Sequence, residues 1–316
     1  MLFLTEDQVS ELVGVGDALE VVEASMRELA EGKAANMPRQ RVRMPTGTLH
    51  LMAAALAGPK RFGFKAYTTF RGYIKFHVFL YDRQQGNLLA IMEGDRLGQV
   101  RTGAASAIAT KHLASPLASK LAIIGTGWQA QTQLKGICSV RHIDEVKVFS
   151  RNSERRQKFA AEMSERHMIQ VEPVQSAEEA VERADIVVTI TTSRNPVLHA
   201  GCLKEGTHVN AAGSNTLIRR ELDEDLVAQF DFVCVDSIEQ ARTESGDLLV
   251  PIEKGLLSWE SVHKLSDVVA GRLAGRNSTR DRTLFKSHGI ALWDIALASL
   301  VYERAIEQGV GVRFAV

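Results

Sequence analysis

"LAIIGTGWQA", residues 121–130, sets an apolar run against a glycine turn and follows it with a stretch free of helix breakers. Gly125, Gly127 and Ala130 stand in the spacing G-x-G-x-x-A. In that spacing the first glycine permits a tight turn, the second lets a pyrophosphate approach the backbone, and the small alanine lets helix and strand pack closely. Amides at the start of the following helix, around Trp128 and Gln129, then face the phosphates. With Thr126 inside the turn, residues 125–130 are the candidate pyrophosphate cradle. Alone, the motif is weak. Its place in the chain gives it weight.

From Lys120 onward the sequence alternates short apolar runs with amphipathic ones. "KLAIIG", "EVKVFS", "MIQVEPV", "ADIVVTITT", "THVNAAG" and "DFVCVD" read as strands, with stretches such as "SERRQKFAAEMSERH" and "SAEEAVERA" as helices between them. Such alternation implies a parallel sheet covered on both faces. The expected domain is a Rossmann, doubly wound α/β unit over residues 116–289 that binds a nicotinamide dinucleotide.

The first hundred residues have a different texture. Thr5 and Gln8 form a capping box that opens a helix, and a second helical pattern runs to Gly32. "RQRVRM", "TLHLMAAA", "RFGFKAYTTF", "HVFLYD" and "NLLAIME" follow as strands, with Gln85-Gly86 marking a hairpin turn between the last two. Short turns between neighbouring strands predict a largely antiparallel sheet. A helix from Asp95 ends before Pro116, and the last helical pattern, "IALWDIALASLVYERAIEQG", is too apolar for a surface helix. It is expected to pack back on this part. Residues 1–115 with 290–316 therefore form an α+β domain.

"VKVFSRN", residues 146–152, decides which dinucleotide is held. An acid at the end of the second strand of such a domain binds an adenosine ribose hydroxyl. Glu145 stands 20 residues after Gly125, but it lies at the beginning of that strand, whereas ligands bind outside its carboxyl end. There the chain carries Ser150, Arg151 and Asn152. An arginine there attracts a 2′-phosphate that a carboxylate would repel. The sequence thus favours NADP(H), with NAD(H) possible. The alternative is that Arg151 opens a solvated helix with Arg155 and Arg156. Thr191, Thr192, Asn215 and Asp236 end later strands and are further candidate cofactor contacts, although small polar residues are also ordinary loop chemistry.

Across all 316 residues, 38 basic residues balance 38 acidic ones, which argues against a nucleic-acid or anionic-membrane partner. The longest nearly apolar run is far shorter than the roughly 20 residues that span a bilayer. The amino terminus meets two acids at once and does not read as a secretory signal. Three scattered cysteines, Cys138, Cys202 and Cys234, fit reduced thiols in a cytoplasmic protein. None of the nine histidines forms a ligand-like pair, so no metal is expected.

In the first part, single cations interrupt apolar stretches. Lys65 shares a strand face with Gly63, Tyr67 and Thr69, Arg41 lies in "RQRVRMP", and Arg101 lies within a helix. Read alone, Arg39, Arg41 and Arg43 are one solvated strand face and Lys65 an edge residue. His50 has the ordinary pKa for acid-base work, and equally the pattern of a hydrogen-bonded strand histidine.

Seven ordered blocks change that balance. "RVRMPTGTLHLMAA", "GFKAYTTF", "DRLGQVRTGAASAIATKHLA", "IIGTGWQAQTQ", "VNAAGSNTLIRREL", "VCVDS" and "TLFKSHGIALWDIA" together resemble the ornithine cyclodeaminase and mu-crystallin family over nearly the full length. The resemblance implies an amino-terminal domain that binds substrate and forms a homodimer. It also implies that Arg41, Lys65 and Arg101 hold the carboxylate of a small amino or imino acid. By their own acid-base chemistry, Lys65 and His50 are the candidate proton donors. The family's activities include cyclodeaminases, alanine-type dehydrogenases, ketimine reductases and a non-catalytic NADPH-binding role.

Two departures from the cyclodeaminases stand out: Asn215 and His50 occupy places where those enzymes carry acids. Cyclising ornithine requires its distal amine, ordinary pKa about 10.4, to lose a proton, which a carboxylate assists and an amide does not. Together with the arginine in "SRN", this favours a reductase of cyclic ketimine carboxylates, Δ1-pyrroline-2-carboxylate or Δ1-piperideine-2-carboxylate, over a cyclodeaminase.

Overall fold

The computed structural model describes residues 1–315. In chain order the elements are β1 (Leu2–Leu4), α1 (Glu6–Leu12), α2 (Val15–Ala30), β2 (Ala35–Asn36), β3 (Gln40–Met44), β4 (Gly47–Leu56), β5 (Arg61–Phe70), β6 (Tyr73–Asp82), β7 (Leu88–Glu93) and α3 (Asp95–Leu113). Then come β8 (Lys120–Ile124), α4 (Trp128–Val140), β9 (Glu145–Phe149), α5 (Ser153–His167), β10 (Val171–Pro173), α6 (Ala177–Val181), β11 (Ile186–Thr189) and β12 (His208–Ala211). The chain closes with α7 (Glu224–Val227), β13 (Phe232–Val235), α8 (Ile238–Glu244), α9 (Gly246–Glu253), β14 (Val262–Lys264), α10 (Leu265–Val269), β15 (Thr283–Lys286), α11 (Ala291–Gln308) and β16 (Val312–Arg313).

Two compact units result, one of residues 1–104 with 289–316 and one of residues 105–288. The divide between these units falls inside α3. The reason lies in the helix's last turns, where Arg141 donates to the carbonyls of Thr110, Lys111 and Ala114, Arg276 donates to that of Leu113, and Asn210 donates to the Thr110 hydroxyl. All three donors belong to the second unit.

In the first unit the strands lie in the order β16-β1-β7-β6-β5-β4-β2, with β3 also on β4. Pairing is antiparallel except between β1 and β7. The expected capping box forms: Gln8 Oε1 accepts the Thr5 amide at 3.0 Å, and Thr5 Oγ1 accepts the Gln8 amide at 3.5 Å. Alternation along β4 and β5 sends every second side chain into the core, including His50, Met52, Lys65 and Tyr67. Helix α11 supplies the facing layer. Its Trp293, Ile295 and Leu297 are fully buried, and Gly63 lets the helix approach, since a Cβ there would stand 3.0 Å from Ile295 Cδ1. The Leu292 amide donates to Asn36 and Arg304 donates to the Leu12 carbonyl.

The second unit is a wholly parallel sheet in the order β10-β9-β8-β11-β12-β15-β13-β14 among the described residues. The six strands read from the sequence are present. Two more join them, β14 and β15, and β15 inserts between β12 and β13. The chain changes direction between β8 and β11, the place where doubly wound folds bind their ligands. Separate apolar clusters around Ile123, Leu134 and Val146 and around Val187, Val209 and Leu284 fill the two faces.

Candidate active site

The first unit assembles a buried charge cluster. Lys65, in register with Met52 on β4 and Val78 on β6, is 2% exposed. Its Nζ donates to Asp294 Oδ1 at 2.9 Å, and Arg101 Nε donates to the same oxygen at 3.2 Å. Asp294, on α11, is fully buried, and its Oδ2 has no hydrogen-bond partner among the described residues. Two cations thus share one carboxylate, leaving a buried site with a net positive charge that suits an anion.

Close packing fixes this geometry. A Cβ at Gly98 would lie 2.9 Å from Lys65 Nζ, and one at Gly289, where φ is +76°, would lie 2.6 Å from Arg101 Nη1. The Lys65 ammonium stands 4.7 Å from the Phe76 ring centre, and the Arg101 guanidinium 5.7 Å from that of Trp293. Burial pushes the Lys65 pKa down to about 8; Asp294 opposes the shift, while Arg101 and Arg39 add to it. A lysine so placed can give up a proton near neutral pH.

The expected trio is only partly gathered at Asp294. Lys65 and Arg101 meet there, whereas Arg41 lies half-exposed on β3, opposite His50. The reading of residues 39, 41 and 43 as one solvated face is corrected at its first member. Burial fades along β3 from Arg39, 6% exposed, to Arg43, which is open to solvent. Arg39 Nη2 donates to the Gly289 carbonyl at 3.1 Å, and its Nε points at Met52 Sδ, 3.3 Å away. His50 Nε2 pairs with the Thr69 hydroxyl at 3.1 Å, and its ring stacks on Tyr67 with centroids 4.1 Å apart. Burial, with Arg41, Arg39 and Arg43 adding to it, holds its pKa down at about 4. That shift favours the neutral imidazole at pH 7.

Asp294 is the member of this cluster that sequence reasoning missed. Its signal was there: a lone acid at the centre of "IALWDIALASL" must meet cations if it is buried.

In the second unit the glycine turn behaves as its spacing requires. Gly125 has φ +112°, and a Cβ would lie 2.4 Å from the Ile190 carbonyl oxygen, so the turn presses against the end of β11. Gly127 caps α4 with no side chain over the helix start, and a Cβ there would meet open space. Ala130 is fully buried beneath. Open amides and an unobstructed backbone fit a pyrophosphate. Trp128 is exposed and Gln129 half-buried beside it.

At the end of β9, Ser150 Oγ lies 2.8 Å from Thr126 Oγ1, tying the strand end to the turn. Asn152 Oδ1 accepts the Arg155 amide and so caps α5. Arg156 is buried, donates to the Ser150 carbonyl at 2.7 Å and supports the loop from below. Arg151 is exposed and makes no side-chain hydrogen bond or ion pair among the described residues.

Thr191 is half-buried and Thr192 exposed after β11, and Asn215 is half-buried after β12. Asp236 is buried instead, its Oδ2 accepting the His288 amide at 2.7 Å and its Oδ1 the Ser237 amide at 3.0 Å, so it joins the ends of β13 and β15. Behind Thr191 and Asn215 sits a second buried charge cluster, Glu221, Asp247 and Lys286. Burial pushes the Glu221 carboxyl up, Lys286 opposes and Asp247 adds. The three cysteines form no disulfide, and burial raises their thiols, Cys138 to about 11. No group of three or more potential ligands that could hold a metal exists among the described residues, and none of their helices is long and apolar enough to cross a membrane.

A glycine cradle on a doubly wound sheet, in one chain with a buried lysine-arginine-aspartate cluster, defines a nicotinamide-dinucleotide oxidoreductase. More particularly, the chain belongs to the ornithine cyclodeaminase/mu-crystallin family, whose model matches residues 1–309. It is 35% identical over 323 residues to the Δ1-pyrroline-2-carboxylate reductase of Bacillus cereus, which covers 99% of both chains. The structure of Thermococcus litoralis Δ1-pyrroline-2-carboxylate reductase in complex with NADH and L-proline matches with a TM-score of 0.95 at 36% identity, covering 99% of this chain and 100% of that one. An archaeal alanine dehydrogenase dimer with bound NAD matches with a TM-score of 0.94 at 34% identity, covering 100% and 99%.

Proposed function

We propose that this chain is an NADPH-preferring reductase of cyclic ketimine carboxylates, converting Δ1-pyrroline-2-carboxylate or Δ1-piperideine-2-carboxylate to L-proline or L-pipecolate. The meeting of Lys65 and Arg101 on Asp294 carries this reading, supported by the likeness to two Δ1-pyrroline-2-carboxylate reductases.

Arg101 spends Nε on Asp294, which leaves its two Nη groups as a fork for the substrate carboxylate. Arg41, half-exposed on β3, is proposed to reach the same anion. Asp294 holds Lys65 by one hydrogen bond, and the other two protons of the ammonium are available to substrate. Reduction of a C=N bond needs a hydride at carbon and a proton at nitrogen. A bound nicotinamide supplies the hydride. Lys65, with its pKa near 8, supplies the proton, while neutral His50 orients the substrate's edge.

The cofactor is held by residues 125–130, with Thr191, Thr192 and Asn215 at the neighbouring strand ends. Exposed Arg151, with Ser150 and Asn152 beside it, favours a 2′-phosphate and hence NADPH, with NADH as the poorer donor. Asp236, at the end of β13, is assigned to the same site as a support for the loops around it. The working form is proposed to be a homodimer, as the archaeal alanine dehydrogenase is, and the free thiols fit the reducing cytoplasm. Residues 1–115 with 290–316 are proposed as the substrate and dimer domain, and 116–289 as the cofactor domain.

Likeness to an alanine dehydrogenase supports a second reading, reduction of an open-chain imino acid with the same residues in the same roles. Following NADPH oxidation with each cyclic imine and with pyruvate plus ammonia separates the two. Turnover with neither cyclic imine removes the first. Ammonia release from ornithine without net cofactor change would instead reveal a cyclodeaminase, which Asn215 argues against.

A further inference from the structure

We infer that Glu221 is a positioning residue for dinucleotide binding, its buried carboxylate bracing the loops after β11 and β12 into one rim. This rests on the reading of the second unit as the dinucleotide site. Glu221 Oε1 accepts the Thr191 amide at 2.7 Å and Oε2 accepts the Gly213 amide at 2.7 Å. One carboxylate therefore fixes both loops by their backbones. They are in close contact besides: a Cβ on Gly213 would lie 2.3 Å from the Thr191 nitrogen and 2.4 Å from Glu221 Oε1. The rim continues into the glycine turn, because Ile190, the neighbour of Thr191, presses its carbonyl against Gly125.

Glu221 is itself held from behind. Asp247 Oδ1 accepts the amides of Glu221 at 2.6 Å and Leu222 at 3.0 Å. Asp247 Oδ2 lies 3.0 Å from Lys286 Nζ, and Lys286 donates to the Ser214 carbonyl at 2.7 Å, so it grips the same loop beyond Gly213. All three charged groups are fully buried. Two acids face one lysine, and the four backbone amides they accept offset the excess negative charge. Apolar residues of similar volume often serve a core as well as such a cluster. What apolar residues cannot do is hold two loop amides in fixed positions. The loops so held carry Thr191, Thr192 and Asn215.

The test compares wild type with Glu221→Gln by titrating NADPH and NADH against the unliganded protein, following nicotinamide fluorescence, with thermal melting and steady-state kinetics alongside. The amide keeps the shape but turns an N–H2 group toward one backbone N–H, which releases one loop. The Kd of the preferred dinucleotide and its KM are expected to rise together by about tenfold or more. At saturating cofactor, kcat is expected to change by less than about threefold. A lowered Tm with an unchanged Kd shows a merely structural cluster and overturns the inference, as does no change in either. If Glu221→Gln does not fold, Asp247→Asn carries the test, because it keeps an oxygen for the two amides but loses its charge beside Lys286. A rise in Kd of about threefold then supports the inference and an unchanged Kd overturns it. A wild type that binds neither dinucleotide overturns the site reading itself and this inference with it.

Discussion

Lys65 Nζ lies 2.9 Å from Asp294 Oδ1, although 229 positions separate the two residues in the chain. The contact joins the centre of β5 to the first turns of α11 and gives a buried ammonium its counter-charge. Removing one member of a buried pair costs about 3–5 kcal/mol, because the other is left uncompensated. Asp294→Asn keeps the volume and one acceptor oxygen but not the charge. It is expected to lower Tm by several degrees and kcat for imine reduction by about 100-fold, with folding checked by circular dichroism. A variant with full kcat would show that Asp294 plays no part in holding Lys65.

The pH dependence follows from Lys65. Its pKa, held near 8, means that the ammonium is present at neutral pH and is lost as pH rises through that value. Because kcat/KM reports the free enzyme, its profile for imine reduction is expected to be level below pH 8 and to fall above it. Asp294 works to raise that pKa, so Asp294→Asn should move the falling limb to lower pH. Profiles of the two proteins that coincide would assign the limb to another group, such as the imine itself.

Much of this architecture could be read directly. The alternation after Lys120 announced a parallel sheet, and the turn at Gly125 sits where its spacing places it, because the strand, the glycines and the helix are all local in sequence. Strand β15 was not read as part of the sheet: four residues after a polar loop carry little periodicity, and insertion between β12 and β13 depends on long-range pairing. The charge clusters were harder still. Lys65 was visible as an anomaly in an apolar strand, but its partner Asp294 lies on the last helix, and no spacing rule links them. Arg39 and Arg41 look alike in "RQRVRM", and only burial against Gly289 and Met52 distinguishes them.

Gly98 offers a test of the packing around Lys65. A methyl group there would stand 2.9 Å from Nζ, which forces the lysine off Asp294. In helix α3 an alanine is otherwise favoured over glycine by about 1 kcal/mol. Gly98→Ala is therefore expected to melt within a few degrees of wild type yet to lose activity by about tenfold or more through kcat. Activity and Tm that fall in proportion would mean that the helix itself had shifted.

The strand end at Arg151 makes the cofactor preference a one-residue question. Ser150 is tied to Thr126, Asn152 is spent capping α5, and Arg156 is buried under the loop, which leaves Arg151 as the exposed cation at the end of β9. A 2′-phosphate carries close to two negative charges, and losing a charge-assisted contact to it costs about 1.5–3 kcal/mol, about 10-fold to 100-fold in affinity. Arg151→Asp adds repulsion to that loss and supplies an acceptor for a ribose hydroxyl. The ratio of kcat/KM for NADPH to that for NADH is expected to fall by about 100-fold, mainly through KM for NADPH, while the KM of the imine stays near its wild-type value. Arg151→Ala should give about a tenth of that change, since it removes the attraction without adding the repulsion. A ratio that stays the same in both variants would mean that another group reads the ribose.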